Sequence, residues 1–382
     1  MRRICVVITA RPSYSRIRTA LDAIEAHPDL QLQLVVAASA LLDRFGSVVD
    51  RIEADGFCVD ERVVMVLDGE SPLAMAKTTG VGIIELAGVF DRLRPDAVVT
   101  IADRYETLAT ATAAAYLGVP LVHVQGGEVT GSIDERVRHA ITKLADLHLP
   151  STELARERII RMGEAPDRVV VTGCPSVDLA HGVRDGDVPS FDPYERYVGV
   201  GGRPDLQDGY VVVMQHPVTD EHAEARAQVW ATLEAVERTG MPALWFWPNV
   251  DAGSDGISTG IREFRELGRA SMLHFFKNMA PLDFLRITLD SRAIVGNSSV
   301  ALRECSSLGV PAVNIGTRQR GRERGQNVID VHHDRDAIHD AILTACEQPR
   351  VGESLYGDGH AGVRIAEALA TLPLTTTKML TF

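Results

Sequence analysis

Polar residues directly follow short apolar runs at several places in this chain, and the junction around residue 298 has the clearest chemical meaning. The run Ala293–Val295 predicts a buried strand. Ser298 and Ser299 then predict the start of a helix that runs to about Leu308 and stops at Gly309. A helix that opens on serine presents free backbone N–H groups and the positive end of its dipole. This junction therefore predicts an anion site suited to a diphosphate.

Two neighbours of these serines extend that hypothesis. Asn297 forms the turn before them, and Glu304 lies about one helical turn further on, where a carboxylate could accept hydrogen bonds from a ribose diol. The structural alternative is an N-capping serine followed by a solvated glutamate on a helix face. The segment alone leaves both interpretations open.

The densest group of ionisable residues lies at 123–139, where a predicted strand leads into a glycine-rich loop and a helix. Glycines let a ligand approach the backbone closely, and carboxylates at different depths can divide the roles of acid and base. Arg138 shares a helix face with Asp134, four residues earlier. The alternative is an aspartate-capped helix with a solvated ion pair. The candidate residues of this segment are His123, Gln125, Glu128, Asp134 and Arg138.

Loops after other predicted strands carry further residues that could touch a phosphorylated ligand. Asp103 directly follows an apolar strand, where it either meets a ligand or caps the next helix. A basic loop at 316–324 predicts an anion site, with a solvated loop as its alternative. No G-x-G-x-x-G follows the first predicted strand, which argues against a dinucleotide-dependent dehydrogenase. The remaining candidates are Arg11, Ser15, His216, Asn249, Asp251 and Arg318.

Parallel sheets are the elements that would bring these loops together. Near-continuous apolar strands alternate with amphipathic segments through most of the 382 residues. That alternation predicts an α/β fold with two Rossmann-like, doubly wound domains facing a cleft, with ligands beyond the carboxyl ends of the strands. The predicted strands are Ile4–Thr9, Leu32–Ala38, Ala97–Ala102, Leu121–Val124, Val169–Thr172, Tyr210–Met214, Ala243–Trp247, Leu273–Phe276, Ala293–Val295 and Ala312–Ile315.

A change in composition marks the boundary between the two domains. The stretch 185–208 is rich in Gly, Pro and Asp and shows little periodicity, so it predicts the linker. We therefore expect an N-terminal domain with the candidate carboxylates at 1–184 and a C-terminal, ligand-binding domain at 209–357. A C-terminal helix and tail would follow at 358–382.

Composition and charge narrow the function classes. The formal net charge is −13, from 39 Lys and Arg against 52 Asp and Glu, which disfavours nonspecific binding to nucleic acid or anionic membranes. The five cysteines are scattered without metal-site spacing and are typical of free thiols in a reducing cytoplasm. No uninterrupted apolar run reaches the length of a membrane span, and the first one is too short for a signal peptide. We expect a cytoplasmic protein with a small-molecule ligand and no metal site.

A series of longer motifs runs through nearly the whole chain. They are Asp103-Arg104-Tyr105-Glu106, Gly126-Gly127-Glu128-Val129-Thr130-Gly131-Ser132-Ile133-Asp134, Arg138-His139-Ala140-Ile141-Thr142-Lys143-Leu144, Gly173-Cys174-Pro175, Gln215-His216-Pro217-Val218-Thr219, Pro248-Asn249-Val250-Asp251-Ala252-Gly253-Ser254, Gly296-Asn297-Ser298-Ser299, Gly316-Thr317-Arg318-Gln319 and Tyr356-Gly357-Asp358-Gly359. In these motifs the chain resembles the hydrolysing UDP-N-acetylglucosamine 2-epimerases. The resemblance extends to the epimerase half of the bifunctional enzyme that begins sialic acid synthesis in animals, and to bacterial relatives.

The resemblance implies a fold like that of the glycosyltransferases with paired Rossmann-like domains, with a last helix that returns to the first domain. It also implies a reaction that needs no cofactor. A base removes the proton from C2 of the sugar, UDP leaves from C1, and water adds to the resulting glycal. The free 2-epimer is released, which is N-acetylmannosamine in the parent case. A homodimer or homotetramer is expected by the same analogy.

The resemblance also assigns roles to residues of this chain. The matching catalytic carboxylates are Asp103 and Asp134. The nucleotide-binding residues would be His216, Ser298, Ser299 and Glu304, with Arg11 and Arg318 at the phosphates. A third acid of the animal enzyme falls on Gln125, whose amide cannot exchange a proton, and a histidine falls on Ile101. Glu128 lies near enough in sequence to replace that acid.

Other function classes share parts of this pattern. A glycosyltransferase would need an acceptor, a non-hydrolysing epimerase would return a UDP-linked product, and a regulatory protein would bind without turnover. The departures at Gln125 and Ile101 also suit a different UDP-sugar, such as a diacetamido sugar. Retention of Asp103, Glu128 and Asp134 favours the hydrolysing epimerase.

Overall fold

The structure, a computed structural model, describes residues 1–42, 48–67, 72–129, 133–186, 188–248 and 253–381. The chain forms two compact units. The first unit is discontinuous in sequence: it combines Met1–Val129, Ile133–Asp178 and the C-terminal segment that begins at Tyr356. The second unit is formed by Leu179–Leu355.

Strands and helices alternate along the described residues. The strands are β1 Arg2–Ile8, β2 Leu30–Ala37, β3 Glu61–Val63, β4 Ala97–Ile101, β5 Leu121–Val124, β6 Leu147–Leu149, β7 Gly199–Gly201, β8 Val211–Met214, β9 Ala243–Phe246, β10 Leu273–Phe276, β11 Ala293–Gly296, β12 Ala312–Ile315 and β13 Val328–Val331. The α-helices are α1 Arg11–Ser15, α2 Arg18–Ala26, α3 Val48–Ala54, α4 Pro72–Leu93, α5 Tyr105–Tyr116, α6 Ile133–Leu144, α7 Glu153–Arg161, α8 Pro175–Asp185, α9 Pro193–Arg196, α10 Ala225–Thr239, α11 Ser254–Glu266, α12 Pro281–Asp290, α13 Glu304–Leu308, α14 Arg335–Glu347 and α15 Ala361–Thr371.

The first unit is built on a parallel sheet with the strand order β3-β2-β1-β4-β5-β6. Helices cover both faces, which is why β4 and β5 are buried along their whole length. One apolar core packs β1 against α2 and includes Ile365 and Leu369 of α15. The core on the opposite face includes Leu86 and Phe90 of α4. The last helix therefore completes the core of the first unit.

The second unit has a sheet with the order β13-β12-β11-β8-β9-β10-β7. Its pairs are parallel except that of β7 with β10, which is antiparallel. The apolar cores on the two faces hold Trp245 and Phe264 on one side, and Phe246 and Phe276 on the other. The predicted class, two Rossmann-like doubly wound domains, is confirmed by the two sheets.

Strand prediction was wrong where apolar content was a poor guide. Val169–Thr172 was predicted as a strand, but it forms only a single bridge between Val169 and His148. The short strands β3, β6, β7 and β13 were not predicted. β7 is Gly-Val-Gly and largely exposed, because it pairs at the sheet edge through its backbone alone. Such edge strands carry no run of buried side chains by which sequence could reveal them.

The linker prediction at 185–208 also differs from the structure. The chain passes between the units after Asp178, inside the span of α8, and 188–208 belongs to the second unit. Aromatic residues account for the difference. Phe191, Tyr194 and Tyr197 pack on the core of that unit, and the Tyr197 hydroxyl donates to Asp283 at 2.6 Å.

One helix has the length and composition of a membrane span. Within α4, the segment Leu73–Leu93 has a mean hydropathy of 1.4. Its inward residues Leu86, Val89 and Phe90 are buried in the core of the first unit. This packing is typical of the core helix of a globular domain, so length and hydropathy alone do not make α4 a membrane helix.

Candidate active site

Two residues in a strained backbone conformation mark the edge of the first sheet. Ala102 and Gln125 directly follow β4 and β5, and their φ angles are 62° and 63°. A residue other than glycine in this left-handed region costs about 1–2 kcal/mol. The N–H of Ala102 donates to the carbonyl of Val124, and that of Gln125 to the carbonyl of Leu149, both at 3.0 Å. These bonds hold a sharp turn at each strand end, and strain of this kind is common at functional sites.

Asp103 lies at the first of these turns and forms a buried ion pair. Its carboxylate accepts from the guanidinium of Arg138 on α6. Asp103 is 6% exposed and Arg138 is 1% exposed. From the sequence, Arg138 was predicted to share a helix face with Asp134, and the alternative was a solvated ion pair. The side chain of Arg138 is buried, which excludes a solvated ion pair. A buried charge that loses its partner is strongly destabilising, so the two residues depend on each other.

His123 supports this edge from inside the protein. It is fully buried, and its Nε2 lies 2.9 Å from the carbonyl oxygen of Ala102. Because a carbonyl only accepts, Nε2 carries the hydrogen, and Nδ1 faces the hydroxyl of Thr142 at 3.2 Å. Burial lowers the pKa of His123 to about 3, so the ring is neutral near pH 7. This environment favours a supporting role over the substrate contact expected from sequence.

The glycine-rich loop after β5 is held by its surroundings. Gln125 is buried and donates from Nε2 to the sulfur of Cys174 at 3.0 Å. Gly127 has a φ of 74°, and a Cβ there would lie 2.3 Å from the carbonyl oxygen of Ala155, so only glycine fits. Glu128 follows and is 3% exposed. The loop therefore places a buried amide and a buried carboxylate at the same sheet edge as Asp103.

The remaining candidates of the first unit lie at helix starts. Asp134 is in the first turn of α6 and is half-buried. Arg11 opens α1, just beyond the end of β1, and is exposed. The hydroxyl of Ser15, in the same short helix, donates to the carbonyl of Pro12 at 3.2 Å.

In the second unit, Asn297 joins two strand-end loops. Its Oδ1 accepts from the backbone N–H of His216 at 2.7 Å, and its Nδ2 donates to the carbonyl of His216 at 2.8 Å. The adjacent Gly296 has a φ of 133°, and a Cβ there would lie 2.1 Å from the carbonyl oxygen of Met214. The chain can turn here only because residue 296 is glycine, and the turn fixes the loop that carries His216.

The basic loop after β12 also contacts Asn297. Gln319 Nε2 donates to the carbonyl of Asn297 at 2.8 Å, and a guanidinium nitrogen of Arg318 donates to that carbonyl at 3.3 Å. The described residues thus bring His216, Asn297 and Arg318 together, as the sequence suggested. Asn249 and Asp251, two other candidates, lie outside the described residues.

The helix predicted from Ser298 to Leu308 is broken in the structure. A 3₁₀ turn spans Ser299–Ala301, and α13 begins only at Glu304. Ser298 caps the first turn, with its hydroxyl accepting from the N–H of Val300 at 3.4 Å, and Gly309 ends α13 as predicted. Glu304 is 8% exposed. Because neither piece is a long helix, the amides and side chains of this loop matter more for an anion than a helix dipole does.

Sequence reasoning missed three supporting residues: Thr142, Cys174 and Gln319. All three lie within the motifs quoted above, but each contacts a partner that is distant in sequence. Thr142 follows Arg138 by four residues, and that helical spacing was the available signal for a shared face. The partners of Cys174 and Gln319 depend on how the loops fold.

Comparison with solved structures places both units in a known fold. The structure of UDP-GlcNAc 2-epimerase from Neisseria meningitidis bound to UDP-GlcNAc is similar with a TM-score of 0.80 and 18% identity, covering 96% of this chain and 99% of that one. The Methanocaldococcus jannaschii UDP-GlcNAc 2-epimerase in complex with UDP-GlcNAc and UDP gives a TM-score of 0.78 at 16% identity, with coverage of 96% and 99%. These similarities show that this chain has the glycosyltransferase-B-like fold, with paired Rossmann-like domains.

Sequence comparison narrows that class to a family. The family model described as UDP-N-acetylglucosamine 2-epimerase matches residues 22–370. The "UDP-N,N'-diacetylbacillosamine 2-epimerase (hydrolyzing)" of Legionella pneumophila is 32% identical over 98% of this chain and 97% of its own length. The "UDP-N-acetylglucosamine 2-epimerase" of Neisseria meningitidis is 28% identical, over 91% of this chain and 88% of its own length. The chain therefore belongs to the UDP-N-acetylglucosamine 2-epimerase family of enzymes.

Proposed function

We propose that this protein is a hydrolysing 2-epimerase that converts UDP-N-acetylglucosamine into UDP and free N-acetylmannosamine. The observation that carries the proposal is the strained edge of the first sheet. There, Asp103 is held by the buried Arg138, and Glu128, in the loop after the neighbouring strand β5, is also buried. Proton transfer at a sugar carbon needs carboxylates fixed by their surroundings, which this edge supplies.

In the proposed reaction a carboxylate takes the proton from C2 while the bond between C1 and the UDP oxygen breaks. The products of that step are UDP and a glycal. Water then adds to the double bond, with its oxygen on C1 and a proton on C2, on the face that gives the 2-epimer. We assign these proton transfers to Asp103, Glu128 and Asp134. Gln125 cannot exchange a proton, so Glu128 takes the part of the third acid.

Nucleotide binding is assigned to the second unit. His216, Ser298 and Ser299 would contact the diphosphate together with Arg318, whose guanidinium can grip phosphate oxygens. Glu304 would accept hydrogen bonds from the ribose. In the first unit, Arg11 and Ser15 of α1 are also assigned to substrate binding. Support comes from the joined loops around Asn297.

Two relatives favour a second substrate. The Legionella relative, 32% identical, bears a name that specifies UDP-N,N'-diacetylbacillosamine, and a Campylobacter jejuni relative named as a "GDP/UDP-N,N'-diacetylbacillosamine 2-epimerase (hydrolyzing)" is 27% identical over 86% of this chain. A diacetamido sugar undergoes the same chemistry at C1 and C2. It differs in a second acetamido group that the sugar pocket would have to hold.

We also propose a homodimer or homotetramer in the cytoplasm. Cys5, Cys58, Cys305 and Cys346 are free thiols, which suits a reducing compartment. Gel filtration with light scattering would test the assembly, and a monomer at micromolar concentration would reject it.

The function is tested by proton NMR in D₂O with each UDP-sugar in turn. Release of UDP with N-acetylmannosamine deuterated at C2 supports the main proposal. Release of UDP from the diacetamido sugar alone supports the second substrate. A UDP-linked epimer would identify a non-hydrolysing enzyme, and tight UDP binding without turnover of either sugar would reject both proposals.

A further inference from the structure

The C-terminal residues 372–381, here termed the C-terminal strap, follow α15 and run along the first unit without regular secondary structure. Arginine side chains hold the beginning of the strap. Arg2 donates to the carbonyl of Leu372 at 2.8 Å, and Arg168 donates to the carbonyl of Pro373 at 2.5 Å. The far end is held by the N–H of Thr381, which donates to the carbonyl of Gly163 at 3.1 Å. The strap is therefore a fixed part of the first unit.

Between these anchors, Lys378 inserts its ammonium group at the end of α6. Nζ donates to the carbonyls of Thr142 at 3.1 Å and Ala145 at 2.6 Å, and it lies 2.7 Å from the carboxylate of Glu164. The last carbonyls of a helix have no partner inside the helix, and a cation there also meets the negative end of the dipole. Lys378 thus supplies to α6 the cap that the helix itself cannot make.

The buried carboxylate of Glu164 anchors that ammonium in a network of hydrogen bonds. Its carboxylate also accepts from Lys143 on α6 and from Nε2 of His148 at 3.0 Å. Burial lowers the pKa of His148, so the ring is neutral and its Nε2–H is the donor to the carboxylate. These bonds connect the strap, α6 and the loop after α7 to one carboxylate.

The capped helix is the one that carries the site chemistry. Arg138, which holds Asp103, is one turn before Thr142, and Asp134 is in the first turn. Thr142 connects the two regions directly, because its carbonyl accepts from Lys378 while its hydroxyl faces His123. A shift of α6 along its axis would therefore move Arg138 and Thr142 together.

We propose that Lys378 is a positioning residue, which fixes α6 so that Arg138 holds Asp103 in its reacting geometry. The proposal rests on the proposed function, since the effect is on the assigned carboxylate. Lys378 acts through the helix, because its Nζ bonds to the carbonyls of Thr142 and Ala145 at the end of α6 and to the carboxylate of Glu164.

The test compares Lys378→Met with Lys378→Arg and with Lys77→Met as a matched control. Lys77 is an exposed lysine on α4 of the same unit, outside the assigned site. We expect Lys378→Met to lower kcat by about tenfold or more, with the KM for the UDP-sugar and the Kd for UDP changed less than about twofold. Lys378→Arg, which keeps the charge and the donors, should recover most of kcat. Lys77→Met should behave as the wild type.

Hydrogen exchange supplies a readout that does not need turnover. Amides of residues 138–145 should exchange faster in Lys378→Met and at the wild-type rate in Lys77→Met. Unchanged kcat in Lys378→Met, or a loss equal only to its unfolded fraction, would overturn the proposal. If the wild type releases UDP from neither sugar, the proposed function fails. Independently of that result, unchanged hydrogen exchange in Lys378→Met would show that Lys378 does not fix α6.

Discussion

The candidate sites of the two units are built by different means. In the first unit, charged side chains pair with each other: Arg138 with Asp103, both buried, and the partly exposed Lys143 with the buried Glu164. In the second unit, the neutral side chain of Asn297 holds backbone groups of a neighbouring loop. Charge pairs fix the position and charge of reacting groups, whereas amide contacts fix loop shape. This difference is consistent with the proposed assignment of the chemical steps to the first site and of nucleotide binding to the second.

The strongest test of this division is Asp103→Asn. The change keeps the shape of the side chain but removes the carboxylate, so we expect kcat to fall by about a thousandfold or more. The Kd for UDP, measured by calorimetry, should stay within about twofold because the nucleotide loops are untouched. Asp50→Asn, at an exposed position on α3, is the control. Near wild-type turnover in Asp103→Asn would remove Asp103 from the mechanism.

Arg138→Met tests the same pair from the other side. It leaves the buried carboxylate of Asp103 without its guanidinium partner, and we expect a loss of about 3–5 kcal/mol in the free energy of unfolding. Urea denaturation followed by circular dichroism measures that loss. Arg136→Met, an exposed position on the same helix, should change stability by less than about 0.5 kcal/mol. Equal stability of the two variants would show that the buried pair contributes little.

Glu164 predicts how the stability of the first unit depends on pH. Its three hydrogen-bonded partners lower its pKa from 4.5 to about 2, against the effect of burial. A carboxyl group with a lowered folded-state pKa stabilises the fold above pH 4.5, and that contribution is lost as pH falls towards 2. Glu164→Gln should therefore cost about 2–3 kcal/mol at pH 7 and clearly less at pH 3.5. An unchanged difference in unfolding free energy at the two pH values would contradict this assignment.

The smallest expected effect belongs to the second unit. Asn297→Ala removes two hydrogen bonds to the backbone of His216, each worth about 0.5–1.5 kcal/mol. UDP affinity should fall by about tenfold, while kcat at saturating sugar falls much less. Gln207→Ala, an exposed amide of the same unit, is the control. A large loss of kcat with unchanged UDP affinity would break the division between the two sites.

Sequence predicted the parts of the molecule whose signals are local. Buried central strands such as β4 and β8 are apolar along their length, so their positions were close to those observed. The edge strand β7 pairs through its backbone and gave no such signal. Partners across the fold were also hidden. Helical spacing could relate Arg138 to Asp134, but its pairing with Asp103 depends on where the loop after β4 meets α6.

The discontinuity of the first unit has a consequence for synthesis on the ribosome. Leu179–Leu355, which makes up nearly all of the second unit, is one continuous segment that can emerge while the last residues are still being added. The first unit must wait for α15, whose Ile365 and Leu369 fill its core. Until then its nascent chain leaves an apolar groove uncovered, the kind of surface that chaperones bind. The half of the protein that is translated first is therefore expected to fold last.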